Sequence, residues 1–398
     1  MSARILILTA GFGEGHNAAA RALAAACDAR EGPGTARIVD AFALASPRLN
    51  AVARSTYVAL ITRAPGLWSA VYRWLDCSPS ADRVMALLAR ERRVLLDVID
   101  RERPRIICST YPVYAFLLRQ LAAAGHRLPP HYNVVTDSIS INSLWWRAGA
   151  AGWFVPNPES GEVMIAAKVP AEKIHVLGFP VTSHFADHGA GVTPGAISAG
   201  CPPRVLCIVN SGTPAAAEIA RRILTDTDWE VTCTVGRNSA LEAELMRLAL
   251  RRRPPTRILG WTDQIPQLLL THHVVVTKAG GATTQEALAA RCPMIVNQIV
   301  PGQEEGNYEL LRRHGIGALA ETPAAVLAAL RGAFANDGAV WREWRQAIAV
   351  LHRPEAAAEI AGFLLRHSGS TVAGVTKAGP AALPDLVPAT VSPTGARG

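Results

Sequence analysis

Residues 272–298 read HHVVVTKAGGATTQEALAARCPMIVNQ, which is an apolar strand, a glycine turn, a helical segment and a second apolar strand. Strands that form continuous apolar runs and are separated by helices are typical of a parallel sheet with helices on both faces. The same alternation of strand-like and helix-like segments continues along nearly the whole chain. The sequence therefore predicts an α/β protein with doubly wound parallel sheets.

The alternation is interrupted at residues 186–203, which are rich in Gly, Pro and Ala and show no periodicity. Before this break we predict strands at 4–9, 36–40, 105–110, 132–137, 153–156 and 174–178. After it we predict strands at 204–210, 229–236, 256–260, 273–278, 293–298 and 318–320. The predicted helices lie at 17–29, 80–103, 113–124, 159–167, 215–224, 240–251, 283–291, 305–314, 323–334, 340–351 and 355–366. Two such series predict two Rossmann-like domains that face a cleft.

A chain of 398 residues is too long for one ordinary core, which agrees with two domains. We place the first domain at 1–182, a linker at 183–203 and the second domain at 204–367, and we allow its last helices to return to the first domain. Residues 368–398 are mainly Gly, Pro, Ser, Thr and Ala and have little to bury, which predicts a disordered tail.

The formal net charge of +8 favours an anionic partner, and nucleic acid, an anionic lipid surface and a diphosphate ligand all qualify. The seven cysteines are scattered without a C-x-x-C pair, which indicates reduced thiols of a cytoplasmic protein. The start MSARILILTAGFG lacks a signal-peptide pattern, and no uncharged stretch approaches the roughly 18 residues that span a bilayer. We therefore expect a soluble or peripheral protein.

The first predicted strand runs into the loop GFGEGH (11–16). Glycines such as Gly13 and Gly15 permit a tight turn and leave amides free at a helix N-terminus, where an anion or polar ligand binds. The loop is neither a Walker A motif nor G-x-G-x-x-G, although Asp40 ends the next strand where a ribose-binding acid would sit. His16 in the first helical turn can accept a proton near neutral pH, and a histidine that only caps the helix is the alternative.

Polar groups cluster at successive strand ends of the second domain. Glycines, hydroxyls and free helix-end amides suit the close approach of a diphosphate. The candidate residues in this segment are Lys278, Gly280, Gly281, Thr283 and Thr284. Glu286 follows in the first helical turns, where a carboxylate can accept both hydroxyls of a ribose. The next strand end carries side chains that suit the hydroxyls of a sugar, namely Gln303, Glu304 and Asn307. Upstream, Gly260 and Trp261 are candidates to hold a nucleobase.

Eight segments in order along the chain resemble one enzyme family. They are FGEGHNAAARAL (12–23), VVTD (134–137), FVPNPE (154–159), KIHVLGFPV (173–181), VGRN (235–238), GWTDQIPQLL (260–269), KAGGATTQEALA (278–289) and PGQEEGN (301–307). The chain resembles the monogalactosyldiacylglycerol synthase and processive diacylglycerol glucosyltransferase family, glycosyltransferase family 28. This family is related to the peptidoglycan transferase that adds N-acetylglucosamine to lipid I.

The resemblance implies a GT-B fold with a UDP-sugar donor in the C-terminal domain. It also implies a lipid acceptor in the N-terminal domain, and diacylglycerol is the acceptor that we expect. It implies inversion at the anomeric carbon, with His16 as the base and Glu286 on the ribose, and we expect Asp137 to orient His16. Further candidate site residues are Gly212 and Arg237 on the donor side, and Gly13, Gly15, Trp145 and Trp146 on the acceptor side. The chain departs from the family pattern at SISINSLWW (138–146) and at NSGTP (210–214).

The segment 49–76 alternates apolar and aromatic residues with arginines around a central Pro-Gly break. This pattern favours a helical hairpin in the lipid headgroup region, with Trp68, Tyr72 and Trp74 at the membrane. Core packing is the alternative reading of the same amphipathic stretch. We expect the protein to bind an anionic membrane surface at the inner face of the cell membrane.

The predicted reaction is direct displacement of UDP from a UDP-sugar by a lipid hydroxyl. We expect no metal and no other cofactor, with helix-end amides stabilising the leaving group. A UDP-sugar epimerase on the same fold and a non-catalytic nucleotide- or lipid-binding protein are the alternatives. We do not expect a nucleic-acid binder, because the basic residues are dispersed and no recognition motif is present.

Overall fold

The computed structural model describes residues 4–78, 80–189, 191–198, 200–209, 214–302 and 304–369. Its first parallel sheet contains β1 (Ile5–Leu8), β2 (Ala36–Val39), β3 (Ile106–Ser109), β4 (His131–Val134), β5 (Gly152–Val155) and β6 (Ile174–Val176). The strand order is β2-β1-β3-β4-β5-β6. Ile5 and Ile7 are buried in the core on one face of this sheet, and Leu6 and Leu8 in the core on the other. Burial on both faces explains why β1 is a continuous apolar run.

The second parallel sheet contains β7 (Arg204–Ile208), β8 (Glu230–Thr234), β9 (Thr256–Leu259), β10 (Val274–Lys278), β11 (Met294–Gln298) and β12 (Ala318–Leu319). Its order is β12-β11-β10-β7-β8-β9, which is the order of dinucleotide-binding domains. Val274 and Val276 face one core and Val275 faces another, so β10 is also buried on both sides. The predicted doubly wound α/β architecture is confirmed.

Helices surround both sheets. In the first half they are α1 (Glu14–Glu31), α2 (Ala41–Ala45), α3 (Pro47–Arg63), α4 (Pro65–Cys77), α5 (Ser80–Ala86), α6 (Ala89–Glu102), α7 (Val113–Ala123), α8 (Leu144–Arg147), α9 (Pro158–Ala166) and α10 (His184–His188). In the second half they are α11 (Pro214–Asp226), α12 (Ser239–Ala249), α13 (Ile265–Thr271), α14 (Gly281–Ala289), α15 (Glu305–Arg313), α16 (Pro323–Ala347) and α17 (Ala356–Gly369). Within the described ranges, no helix has both the length and the apolar character needed to cross a bilayer.

The helices differ from the prediction in several places, and the short helices α2, α8 and α10 were not predicted. The single helix predicted at 80–103 is two helices, α5 and α6, separated at residues 87 and 88. Helix α13 was missed, because its short apolar sequence IPQLLLT has no clear helical period. The helices predicted at 323–334 and 340–351 form one run, α16, which is interrupted by non-helical residues 335–338.

The segment between the two sheets is partly buried. It begins with α10, whose Phe185 is buried in the core of the second domain, and Ile197 is buried in the same domain. Beyond the second sheet, α17 packs against α1, and Ile360 and Leu364 share a core with Leu23. The chain therefore returns to the first domain. The tail was predicted at 368–398, but residues 368 and 369 are the last residues of α17, and Ser368 is buried. Residues 370–398 lie outside the described residues.

The two domains meet where α14 and α15 approach the segment that follows β4. A methyl group placed on Gly306 would lie 1.8 Å from the carbonyl oxygen of Ser138 and 2.4 Å from the nitrogen of Ser140. Gln285 Nε2 donates to Ser138 Oγ at 3.1 Å. His314 Nε2 lies 2.6 Å from Glu159 Oε1 on α9. The close approach of the domains therefore requires glycine at position 306.

We predict that Gly306→Ala opens the interface between the domains. Alanine is favoured over glycine in a helix by about 1 kcal/mol, but here its methyl group would overlap the backbone of the other domain. Small-angle scattering should show a larger radius of gyration for this variant. Gly332→Ala in α16 is the matched control, because no atom lies within 4 Å of the added methyl group. A Gly306→Ala protein as compact as the parent would contradict the prediction.

Candidate active site

Both candidate loops follow strands at which the winding of a sheet reverses. In the first sheet, β1 lies between β2 and β3 and leads into α1. In the second sheet, β10 lies beside β7 and leads into α14. Ligands of open parallel sheets bind outside the carboxyl ends of the strands at such switch points. The topology therefore brings both loops to the place where a ligand is expected.

The loop between β1 and α1 is shaped by a glycine and an aspartate. Gly13 precedes α1 with a φ of 101°, in the region of backbone space that favours glycine. The Gly11 N–H donates to Asp40 Oδ2 at 3.1 Å, and Asp40 Oδ1 accepts from the Ala43 N–H at 2.9 Å. Asp40 therefore holds two backbone turns and does not take the part of a ribose-binding acid.

His16 lies in the first turn of α1 against two aromatic rings. Its Nδ1 is 3.2 Å from Thr136 Oγ1, and the ring centroids of Tyr111 and Trp145 lie 5.2 and 6.3 Å away. Burial lowers the pKa of His16 to about 4, and the hydrogen bond with the backbone of Thr110 opposes this shift. The imidazole is therefore neutral near pH 7. With the proton on Nδ1 toward Thr136, Nε2 is the basic nitrogen.

The expected role of Asp137 in orienting His16 is wrong. The Trp145 indole N–H donates to Asp137 Oδ2 at 2.8 Å, and Thr136 is the residue at the imidazole. Burial raises the pKa of Asp137 to about 6, and the hydrogen bond from Trp145 opposes the rise. Successive side chains along an extended segment point to opposite sides, which explains why only one of this pair reaches His16.

Trp145 and Trp146 lie in segment 138–146, which differs from the family pattern, and the two side chains have different surroundings. Trp145 is 1% exposed, and its carbonyl oxygen accepts from Trp153 Nε1 at 2.8 Å and from Asn133 Nδ2 at 3.3 Å. Trp146 packs against the core beside β5. Trp145 thus lies beside the catalytic candidates, whereas Trp146 supports the fold.

The N-terminus of α14 points toward the loop that carries His16. A methyl group placed on Gly281 would lie 3.0 Å from the carbonyl oxygen of Thr136, and one placed on Gly15 would lie 3.7 Å from Ala282 Cβ. Gly280 is the N-cap residue and provides no side-chain cap. The first amides of a helix lack intrahelical partners and attract anions. An anion bound here would lie next to His16.

The polar residues of α14 differ in accessibility. Thr283 and Glu286 are half-buried, but Thr284 is fully buried, so its hydroxyl lies inside the domain. Burial raises the pKa of Glu286 to about 7, with the positive charge of Arg21 opposing the rise. Thr283 and Glu286 therefore remain the accessible candidates on this helix.

The residues predicted to hold a sugar are largely engaged within the protein. Lys278 forms an ion pair with Glu304, whose second carboxylate oxygen accepts from the Val300 N–H at 3.1 Å. Asn307 Nδ2 donates to the carbonyl oxygen of Ala279 at 2.9 Å. Glu304 and Asn307 are both buried, so they position Lys278 and the turn before α14. Gln303 lies outside the described residues.

The candidate nucleobase residues lie at the ends of β8 and β9. A methyl group placed on Gly260 would lie 3.4 Å from the carbonyl oxygen of Gly236, so the loops that carry Arg237 and Trp261 are adjacent. The Trp261 side chain is 71% exposed and is available to cover a planar ligand. Gly212 lies outside the described residues.

The predicted helical hairpin is present as α3 and α4, but two of its three candidate membrane residues turn inward. The Trp68 ring packs 5.0 Å from that of Tyr57 and 6.2 Å from that of Tyr72. A methyl group placed on Gly302 of the second domain would lie 3.2 Å from Tyr72 Cδ1. Trp74 is 46% exposed. The assignment of Trp68 and Tyr72 to the membrane is therefore wrong, because both rings pack toward the cleft.

Sequence reasoning missed Thr110, Tyr111 and Thr136. Thr110 Oγ1 donates to the carbonyl oxygen of His16 at 3.0 Å, while Tyr111 and Thr136 contact the imidazole. All three follow the ends of β3 and β4, which are the next two strands beyond β1. A search of every strand end beside the switch point would have found them.

Comparisons with known sequences show which proteins this chain resembles. A family model described as monogalactosyldiacylglycerol (MGDG) synthase matches residues 16–181. A processive diacylglycerol beta-glucosyltransferase from Bacillus mycoides is 25% identical over 371 residues, which cover 91% of this chain and 93% of that protein. The predicted resemblance to the monogalactosyldiacylglycerol synthase and processive diacylglycerol glucosyltransferase family is confirmed.

Solved structures of similar shape support the GT-B fold. The glycotransferase of kitacinnamycin superposes with a TM-score of 0.59 at 15% identity, covering 92% of this chain and 99% of that one. A UDP-GlcNAc 2-epimerase from Neisseria meningitidis gives 0.55 at 11% identity, covering 91% and 99%. The predicted GT-B fold is confirmed. Because both kinds of enzyme share it, the fold alone does not separate transferase from epimerase.

We predict that His16 titrates far below an ordinary histidine. Burial disfavours the charged imidazolium, so the NMR resonances of this ring should shift with a midpoint at about pH 4 instead of 6.5. The spectrum of His16→Gln assigns the resonance by its loss. Because the folded-state pKa lies below the unfolded value, the ring should also reduce the free energy of unfolding as the pH falls from 6.5 to 4. A midpoint near 6.5 would contradict the neutral-base interpretation.

Proposed function

We propose that this protein is an inverting glycosyltransferase that moves a hexose from a UDP-sugar to the hydroxyl of a membrane lipid, with diacylglycerol as the acceptor. The observation that carries the proposal is the position of the α14 N-terminus against the loop that presents His16. This arrangement offers an anion site and a neutral base on opposite sides of one gap. The relatives named as diacylglycerol glucosyltransferases support a lipid acceptor.

The reaction is a single displacement. Nε2 of His16 takes the proton of the lipid hydroxyl while that oxygen attacks the anomeric carbon. The bond between the anomeric carbon and the diphosphate oxygen breaks on the opposite face, and UDP leaves with the bonding pair. The configuration at the anomeric carbon is inverted. Neutrality of His16 near pH 7 supports this role, because a protonated imidazole could not accept the proton.

The leaving diphosphate receives its stabilisation from α14. The free amides of Gly281, Ala282 and Thr283 supply donors at the positive end of the helix dipole. The Lys278 ammonium group lies beside this end, because a methyl group placed on Gly280 would be 3.1 Å from Nζ. We propose that these groups balance the developing charge without a metal ion or another cofactor.

The remaining donor contacts extend along the second domain. Glu286, one to two turns from the helix start, accepts hydrogen bonds from the ribose hydroxyls. The exposed Trp261 ring covers the uracil, next to the loop of Arg237. These assignments extend the nucleoside along the second domain from the α14 N-terminus and direct the sugar toward His16.

The outer face of the hairpin provides the membrane contact. Leu49, Val52 and Leu67 are 66%, 60% and 58% exposed, and Trp74 is 46% exposed on α4. We call these four residues the membrane face. Exposed apolar side chains together with the exposed Arg73 suit an interface with anionic lipid. We propose that the protein binds the inner face of the cell membrane through this face.

We predict that His16→Ala lowers turnover by roughly two to four decades, the usual range for loss of general-base help. Vesicles that contain diacylglycerol are incubated with UDP-glucose, UDP-galactose and UDP-N-acetylglucosamine in turn. The lipid product should carry a β-linked sugar, which NMR identifies. UDP binding measured by calorimetry should be unchanged, because His16 lies on the acceptor side.

The exposed histidine at position 126 provides the control, and His126→Ala should turn over like the wild type. Wild-type turnover in His16→Ala would remove the assigned base. Free-sugar release or epimerised UDP-sugar without a labelled lipid would favour an epimerase instead.

We predict that Leu49→Ser combined with Val52→Ser weakens binding to anionic vesicles at least tenfold in a flotation assay. Both side chains are exposed, so the loss should come from lipid contact and leave the fold intact. Met246→Ser with Leu250→Ser is the matched control, because these residues are 51% and 86% exposed on α12 of the other domain. Equal losses in both variants would show that the effect is not specific to the membrane face.

A further inference from the structure

Two hydrogen-bond donors on the inner side of α4 are buried without partners. Among the described residues, neither the Trp68 indole nitrogen nor the Tyr72 hydroxyl has a hydrogen-bond partner, although both atoms are inaccessible to solvent. Buried tryptophan and tyrosine side chains ordinarily find a partner for their polar atom. Two such atoms one helical turn apart indicate a partner that arrives from outside the protein.

An aromatic wall connects these donors to the catalytic base. The ring of Tyr57 lies 5.0 Å from Trp68 and 6.3 Å from Phe12. Phe12 stacks on Tyr111 at 5.8 Å, and Tyr111 contacts His16 at 5.2 Å. A molecule that reaches His16 along this wall therefore passes the inner side of α4.

The polar groups nearest to Tyr72 already have partners. Asn142 donates from Nδ2 to the Tyr72 carbonyl oxygen at 3.2 Å and accepts at Oδ1 from the Leu144 N–H at 3.1 Å. Asp137 accepts from Trp145. Asp76 accepts from the Ser143 N–H at 2.5 Å. The fold itself therefore directs these acceptors elsewhere.

Tyr72 acts as a donor at physiological pH. Burial, followed by the negative charges of Asp137 and Asp76, raises the pKa of its hydroxyl well above the ordinary value, while the approach of the Asn142 amide as a hydrogen-bond donor opposes the rise. An amide N–H cannot accept, so the Tyr72 O–H still lacks an acceptor. Indole is a donor only, and a protonated phenol in this position needs an acceptor oxygen. The missing partner is therefore an acceptor oxygen, and the nearby Asp137 and Asp76 carboxylates disfavour one that carries a negative charge.

We propose that Trp68 Nε1 and Tyr72 Oη donate hydrogen bonds to the ester carbonyl oxygens of the acceptor lipid and thereby select diacyl over dialkyl lipids. The inference rests on the proposed function. In a diacylglycerol the two ester carbonyls lie a few bonds from the free hydroxyl, so donors beside the route to His16 can bind them while the hydroxyl approaches the base. An ether oxygen is a much weaker acceptor than a carbonyl oxygen. The acyl chains pack along the aromatic wall.

The test compares diacylglycerol with its dialkyl ether analogue in vesicles of the same composition. Wild-type kcat/KM should favour the ester lipid by about tenfold for each hydrogen bond. Tyr72→Phe keeps the ring and removes only the donor, whereas Trp68→Phe removes the other donor together with part of the indole. The ester preference should fall in Tyr72→Phe and reach near unity in the double variant, through loss of ester activity alone. The KM for the UDP-sugar should stay unchanged.

Two further measurements separate ligand recognition from a structural role. The midpoint of thermal unfolding of Tyr72→Phe alone should not fall, because the ring is kept and its hydroxyl has no acceptor within the protein. Tyr308→Phe with Trp344→Phe makes the same chemical changes in the second domain, at half-buried positions in α15 and α16, and should keep the ester preference.

Several outcomes would overturn the proposal. These are equal use of ester and ether lipids by the wild type, a preference that survives in the Trp68 and Tyr72 variant, or a rise in the KM for the UDP-sugar in place of a change in lipid preference. Absence of transfer to either lipid by the wild type would overturn the proposed function and this inference with it. Transfer to lipid with an unchanged preference would overturn the inference alone.

Discussion

The site depends on how closely the N-terminus of α14 approaches the first domain, and glycines make that approach possible. Gly15 and Gly281 stand where the two loops face each other, and Gly306 lies directly on the backbone of Ser138. Any side chain at position 306 would overlap that backbone, so the helix ends could not come this close. The unpaired amides of α14 and the imidazole of His16 share one gap for this steric reason.

Burial shifts the titratable groups around this gap toward their neutral forms. It lowers the pKa of His16 to about 4 and raises the pKa values of Asp137 and Glu286 to about 6 and about 7. A neutral base is what attack by a hydroxyl requires. The free amides at the positive end of α14 attract anions, whereas the Lys278 ammonium group beside them is paired with Glu304.

The hairpin of α3 and α4 has one face that packs against the protein and another that is exposed to solvent. The sequence pattern did not distinguish the two faces. The alternation of apolar and basic residues in 49–76 predicted the hairpin, because such a pattern depends only on residues that are close together in the sequence. It did not separate Trp68, which turns inward, from Trp74, which is exposed. Only contacts with distant segments make that distinction, such as that between Tyr72 and Gly302 of the other domain.

The sequence by itself determined both sheets and the loops at their switch points. A run such as 274–276 can only be buried on both faces, and glycines mark the turn that follows it. The tertiary structure alone decided which partners meet, including Thr136 instead of Asp137 beside His16 and Glu304 against Lys278. Periodicity indicates which face of a helix or strand a residue occupies. These pairs join residues far apart in the chain, and only the packing of the domains determines the distance between them.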